Sequence, residues 1–182
     1  GIAFNEAQRM ALKADITFGL KTGGQEGLKA ARAIAMLSYR SYKDFTKKQS
    51  DDTETFNNFK AASYIAYQGE KFCNRFNPHS YASLTKVMDS HNIGRGEDGI
   101  VKALKKITSK TLVIGVDSDT LFPIEEQEFL ANHIPNAVFG TISSTAGHDA
   151  FLIEYEQLNH FVKDFLCNDF KTYQPRVLKT IK

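Results

Sequence analysis

Cysteine is scarce in this 182-residue chain: Cys73 and Cys167 stand far apart, with no Cys-x-x-Cys pair and no Cys/His spacing of the kind that holds zinc. That excludes a disulfide scaffold and a structural metal site, and it fits a reducing, cytoplasmic setting. An excess of one charge is also missing. The 23 basic and 21 acidic residues are interspersed and leave a formal charge of +2, too little and too evenly spread to mark a nucleic-acid or membrane surface. No apolar run approaches the ~18 residues needed to cross a bilayer, and no charged-then-apolar leader opens the chain, so a soluble protein is expected. Internal repeats and low-complexity segments are absent as well.

A hydrophobic share of 42% is enough to build a core, and the length suits one domain or one domain with an appended subdomain. Gly1 stands where an initiator methionine would, and residues 2–13 read like the middle of a helix. The chain is therefore expected to be an excised piece.

Two grammars follow one another, changing near Lys106. From Gly27 to about Lys47, apolar residues recur at Leu28, Ala31, Ala35, Tyr39, Tyr42 and Phe45, one face of a helix. A second helical stretch is expected from about Thr55 through Phe72, with Phe56, Phe59, Ala62 and Ile65–Ala66 on one side, forming a helical hairpin with the first. Asn77-Pro78 suits a helix start, and Ser80–Ser90 supplies another helix before the glycine-rich connector Gly94–Gly99. That connector has no preceding strand and no following Lys-Ser/Thr, which excludes a phosphate loop.

Beyond it, Thr111–Val116 (TLVIGV) is a continuous β-branched run, of the kind buried in a parallel sheet. Ile124–His133 reads as a helix, Ala137–Ile142 as a second strand, and Ala150–Leu166 as a final amphipathic helix. Strand, helix, strand, helix is a parallel unit with a crossover. Two parallel strands do not make a stable sheet, so further strands are expected from sequence not present here or from another chain.

Ligands of open parallel sheets bind beyond the carboxyl ends of the strands. Asp117 and Asp119 follow the first strand and His148 ends the loop after the second, 29 residues beyond Asp119. With the strands adjacent, an aspartate and His148 come within hydrogen-bonding reach, and the aspartate orients the imidazole as a general base. Position in the turn does not choose between the two aspartates, and either is equally suited to forming the turn or capping a helix. His79, His91, His133 and His160 have no ligand-like spacing and receive no role. Arg32 lies on the apolar stripe of its helix, with Leu28, Ala35, Met36 and Tyr39 around it. A guanidinium there should turn inward and need an anion, a snorkelling side chain or an internal salt bridge being the plainer alternatives. Arg40, off the stripe with Asp44 four residues on, reads as a solvated helix ion pair.

The stretch Gly147-His148-Asp149-Ala150-Phe151-Leu152 (GHDAFL) closely resembles the signature at the catalytic histidine of homoserine O-acetyltransferases. Gly27–Ser41 (GLKAARAIAMLSYRS), Ala66–Gly99 and Gly115–Pro123 (GVDSDTLFP) also look like blocks of that family, in its order. The resemblance covers roughly residues 2–165. It implies an α/β fold, the C-terminal part of an α/β-hydrolase with its last two parallel strands. Residues 1–22 would be a helix of the hydrolase core, 23–105 a helical lid, 106–168 the closing strand-helix-strand-helix, and 169–182 a tail. It also implies acetyl-CoA as co-substrate with no other cofactor and no metal, L-homoserine as acceptor, and a homodimer formed through the lid.

Carried over residue by residue, the resemblance makes Asp119 the triad acid and His148 the base. It gives Asp149 the acceptor's ammonium and Arg32 the substrate, and places Tyr67 along the substrate tunnel, where a hydrogen-bonded core tyrosine is the plainer reading. The implied chemistry is ping-pong acyl transfer through an acyl-serine. The departure from the family is plain: no Gly-x-Ser-x-Gly elbow occurs anywhere in the chain. Nucleophile and oxyanion hole are expected in a missing N-terminal part of the core, and the chain alone is expected to be inactive. Succinyl transfer, a serine acceptor, carboxylic-ester hydrolysis and a non-catalytic lid or dimerisation piece remain as rival readings.

Overall fold

Apolar residues at helical spacing in the first half find one another in a helical unit, Gly1–His91. In the computed structural model, which describes residues 1–167, this unit consists of α1 (Ile2–Ala14), α2 (Gln25–Tyr39), α3 (Tyr42–Gln49), α4 (Lys60–Cys73) and α5 (Pro78–Ser90). The tail expected over 169–182, and residue 168 before it, lie outside the described residues. α1 packs against α2 and α5, and α4 packs against α2. Leu12, Leu28 and Ala31 are fully buried at that junction with Phe72 beside them. Burying each leucine contributes roughly 1.5–3 kcal/mol.

Polar groups finish the joints. Arg9 Nη2 lies 2.6 Å from Asp89 Oδ2 and Asn5 Nδ2 donates to Asp89 Oδ1 at 2.7 Å; the Asn5 hydrogen bond and then Arg9 hold the Asp89 carboxyl below the usual carboxylate range. α2 begins at Gly24, which has no side chain to cap it. Asp15 substitutes from a distance: Oδ2 accepts from the Gly27 N–H at 2.9 Å and Oδ1 from the Thr17 N–H and hydroxyl.

The helix expected over 27–47 is broken at Arg40–Ser41. Arg40 is extended, and Ser41 caps α3 by accepting from the Asp44 N–H. Arg40 therefore sits at a helix end and not on an exposed face. Its partner Asp44, 3.4 Å away, has a side chain only 8% exposed and also takes Lys48, so the expected solvated pair is largely sheltered. The second helix starts at Lys60 instead of Thr55, because the Lys60 N–H is capped by Asp51 Oδ1 at 3.0 Å and Asn58 has a positive φ. Phe56 consequently lies outside the helix and is 90% exposed. α5 begins two residues earlier than expected, with Asn77 accepting from the His79 and Ser80 N–H groups.

The second unit begins at Asn92. Turns over 94–99 end in a short helix, α6 (Ile100–Lys105), which periodicity alone did not disclose; Asp98 pairs with Lys102 at 2.7 Å, and Glu97 with Lys106. Strand β1 (Thr111–Val116), helix α7 (Ile124–His133) and strand β2 (Ala137–Ile142) follow with the expected bounds. The strands are parallel, with Thr111 opposite Ala137 and Val116 opposite Ile142. Among the described residues the other edge of β1 has no ladder partner, and Leu112 and Ile114 are accordingly only half-buried. The last helix is split into α8 (Ala150–Ile153) and α9 (Tyr155–Cys167) by Glu154.

Alternation along the strands gives each face its own helix. Leu112, Ile114, Val116 and Ile142 pack with Phe161 and Leu158 of α9, while Gly115 faces Ile124 of α7. Gly140 is where α9 comes closest: a Cβ there would lie 2.8 Å from the ring of Phe161, which is 1% exposed. Among the described residues no helix is long and apolar enough to cross a membrane.

Two outcomes follow from these contacts. Gly140→Ala should destabilise the second unit by about 1–3 kcal/mol through overpacking, read from the midpoint of urea unfolding. The Gly27 N–H and then Thr17 hold the Asp15 carboxyl below its ordinary range, so the folded state binds its proton more weakly than the unfolded chain does. The stabilisation from Asp15 is present above its unfolded pKa and lost as pH falls through the depressed folded value. Asp15→Ala should lower the thermal midpoint at neutral pH, and the gap from wild type should close below that folded pKa.

Candidate active site

Register decides what meets at the sheet's carboxyl edge. Val116 and Ile142 are opposite one another, and the Asp117 N–H continues the ladder to Ile142 O at 3.1 Å. The two loops that follow therefore leave at the same level. In the first, the chain turns back so that the Asp119 N–H reaches Val116 O at 3.2 Å. Asp119 Oδ1 then accepts from the N–H groups of Leu121 (2.8 Å) and Phe122 (3.0 Å).

Those bonds aim the second oxygen. Asp119 Oδ2 lies 2.8 Å from His148 Nδ1, with side chains 8% and 22% exposed. A carboxylate is an acceptor only, so Nδ1 carries the proton and donates it, which makes Nε2 the nitrogen that exchanges protons. The rings of Phe122 and Phe151 flank the imidazole at centroid distances of 5.2 and 5.7 Å, narrowing its rotamers.

His148 is delivered by a backbone reversal. Gly147 has φ +73°, a conformation that costs other residues of order 1 kcal/mol or more, and its N–H donates to Ser118 Oγ at 3.0 Å. The reversal opens the 3-10 turn Gly147–Asp149, which leads directly into α8. Asp149 is half-buried within that turn.

Asp117, indistinguishable from Asp119 by position in the turn, does different work. Its Oδ2 accepts from Ser143 Oγ at 2.8 Å and its Oδ1 from the Ser144 N–H at 3.0 Å, lashing the end of β1 to the loop after β2. Gln157 holds the same loop from α9: Oε1 accepts from the Ser143 N–H at 3.1 Å, and Nε2 donates to Ser143 O at 3.0 Å. Glu154, at the helix break, accepts from Ser144 Oγ at 2.7 Å. Sequence reasoning missed this bracing. The one signal was the pair Ser143-Ser144 placed 26 residues after Asp117-Ser118, the offset of strands in register.

Beneath the pair lies a cavity of ≈210 Å³, walled by Ile114, Val116, Phe122, Phe151 and Leu158, with Asp119 and His148 in its lining. It can admit an apolar acyl-sized group beside the imidazole.

The other two candidates belong to the first unit. Arg32 is half-buried on α2, as its place on the stripe implied, with its Cζ 4.9 Å from the Phe72 ring centre and 5.4 Å from that of Tyr39. Its Nε is buried without an acceptor, so the internal salt bridge considered for it does not form. Tyr67 is 59% exposed on α4 with Lys71 Nζ 5.8 Å from its ring centre, which rules out the buried core tyrosine. His79 Nε2 contacts Leu20 O, 59 residues away in the chain, and His133 Nδ1 contacts Phe129 O one turn back; both bonds are structural. Among the described residues no group of three His, Cys, Asp or Glu side chains is placed to hold a metal ion.

The division of labour between the two aspartates is measurable. A downfield Nδ1 proton resonance of His148 should be present in the chain, persist in Asp117→Asn, and vanish in Asp119→Asn. Asp117→Ala should instead cost about 1–3 kcal/mol of stability by leaving the Ser144 N–H without its acceptor.

Comparison with known proteins gives a consistent picture. No protein-family model matches the chain. It is 52% identical over 167 residues to the homoserine O-acetyltransferase of Cyclobacterium marinum, covering 90% of this chain and 47% of that enzyme. Among solved structures, it is similar to homoserine O-acetyltransferase from Staphylococcus aureus at 30% identity and TM-score 0.73, covering 92% of this chain and 47% of the other. The Bacillus anthracis homoserine O-acetyltransferase shares the fold with TM-score 0.82 at 14% identity, covering 93% of this chain and half of that one. The chain spans about half the length of the curated relatives it matches. Its strand-helix-strand-helix unit is part of an α/β-hydrolase fold.

Proposed function

We propose that this chain is the C-terminal part of a homoserine O-acetyltransferase, with Asp119 and His148 the acid and base of a triad whose serine lies in the half of the enzyme it does not span. The observation that carries the reading is the 2.8 Å contact between Asp119 Oδ2 and His148 Nδ1 at the carboxyl ends of adjacent parallel strands. The similarity to homoserine O-acetyltransferases over 90% of the chain supplies the substrate class.

In this reading a serine attacks the thioester of acetyl-CoA while His148 Nε2 takes the hydroxyl proton. Asp119 stabilises the imidazolium that forms, and the proton passes on to the departing thiolate. The acetyl-serine is then attacked by the homoserine hydroxyl, whose proton goes to the same nitrogen, and serine is regenerated as O-acetylhomoserine leaves. Asp149, next to the base in the same turn, takes the acceptor's ammonium, and Arg32 takes its carboxylate. Positioning of that kind can contribute ~7 kcal/mol or more to lowering the barrier, which favours the amino acid over water. Exposed Tyr67 then lines the substrate tunnel. The exposed apolar groups of the helical unit, among them Leu37, Tyr42 and Phe56, supply the surface of a homodimer.

The test joins this chain to the missing half taken from the Cyclobacterium marinum relative. The fusion should release CoA from acetyl-CoA in step with homoserine acetylation, whereas the 182-residue chain alone should not. Asp119→Asn in the fusion should lower kcat by on the order of 10⁴, and His148→Ala by at least as much. Thioester cleavage indifferent to homoserine, or transfer that survives His148→Ala, would overturn the proposal.

A further inference from the structure

Three consecutive residues of the loop after β1 each reach the loop after β2. Asp117 takes Ser143 and Ser144, Asp119 takes His148, and between them Ser118 Oγ accepts from the Gly147 N–H at 3.0 Å. The outer two contacts have evident tasks, a brace and the hydrogen bond to the base. Ser118 joins instead to the residue directly before the base, and that residue is a buried glycine with φ +73°.

Glycine populates positive and negative φ about equally, so its own sterics do not hold Gly147 in the conformation that sets the direction of His148. The hold must come from its two peptide groups. On the C-terminal side, Gly147 O accepts from the Ala150 N–H as the 3-10 turn closes. On the N-terminal side, the N–H is fixed by Ser118 Oγ. Ser118 is itself firmly anchored, since the Asp117 N–H is tied to Ile142 O at 3.1 Å and the Asp119 N–H to Val116 O at 3.2 Å. The braces on Ser143 and Ser144 grip the loop farther back, before the exposed Thr145, and leave the φ of Gly147 undetermined.

We propose that Ser118 is a positioning residue of the active site: by holding Gly147 at positive φ it fixes where His148 Nε2 points. Removing its hydroxyl leaves a buried N–H without an acceptor, which the loop relieves by rotating the Ala146–Gly147 peptide toward water, and the imidazole turns with it. That the aimed nitrogen serves acyl transfer rests on the function proposed above; the hold on the imidazole does not.

The fusion with the Cyclobacterium marinum half and the 182-residue chain together test this. In the fusion, Ser118→Ala should lower kcat about ten- to a hundredfold, because a misdirected base loses its alignment with the reacting groups. KM for acetyl-CoA and for homoserine should stay unchanged, the hydroxyl being directed at a backbone N–H. Ser118→Thr keeps the oxygen and should restore most of kcat. In the chain, the downfield Nδ1 proton of His148 should broaden through faster exchange with water in Ser118→Ala and stay sharp in Ser118→Thr, under conditions where both variants keep the wild-type circular dichroism spectrum. A resonance that responds in this way, beside a wild-type fusion without transferase activity, would remove the acyl-transfer reading and keep the positioning role. An unaltered resonance in Ser118→Ala, an unchanged kcat in an active fusion, or a loss of kcat that Ser118→Thr does not recover would overturn it.

Discussion

The hydrogen bond between Asp119 and His148 depends on strand register more than on either residue. β1 and β2 are six residues each and pair without offset, so the loops beyond them begin at one level. A slip of one residue would turn the side chains of one strand to the opposite face and displace its loop by about 3.3 Å, more than the length of the bond. Register is held by packing on both faces, with Phe161 seated against Gly140 on one and Ile124 against Gly115 on the other. The bracing around the loops is the same constraint continued past the strand ends. Asp117, Ser118, Glu154 and Gln157 hold Ser143, Ser144 and Gly147 in place, so the imidazole arrives already oriented.

Such a loop carries many polar groups at a half-buried site, and each needs a partner. The residues bracing it are accordingly as specific as the pair they support. Asp119 itself spends one oxygen on two backbone N–H groups and only the other on His148. That arrangement prevents the carboxylate from rotating away from the imidazole. The helical unit solves a different problem. Its helices meet through small residues and a compact apolar seam, while ion pairs cover the outside. Arg32 stands where these two rules collide, a cation on the apolar stripe with aromatic rings for neighbours and no acid beside it.

Much of the second unit was readable from residues alone because its strands are long β-branched runs bounded by turn formers, and both bounds agree with the structure. The helix over 124–133 was equally plain. The first unit was harder. Tyr42 and Phe45 continue the spacing of α2, yet Ser41 accepts from the Asp44 N–H and restarts the helix there. Phe56 fits the period of α4, yet Asp51 caps that helix from nine residues away. In both cases a side-chain cap outweighed an apolar period, since periodicity describes a face but capping sets where the helix begins. At the site, Asp119, His148 and Asp149 were visible as types in suitable loops. Position in the turn did not separate Asp117 from Asp119; the resemblance of Gly115–Pro123 to a family block named Asp119, and the structure shows that carboxylate against His148.

By itself the sequence determined both strands, the helix between them, the parallel crossover and the pair of loops at one sheet edge, since these follow from local propensity and from the two- and 3.6-residue periods. It also established that no serine elbow is present. Only the tertiary structure showed the hydrogen bond between Asp119 and the imidazole, that Asp117 braces the loop, and that Arg32 shares Phe72 with Arg75 in a cavity lacking acids. Those facts depend on the direction of individual oxygens and rings, and that direction is set by hydrogen bonds and packing between residues far apart in the chain.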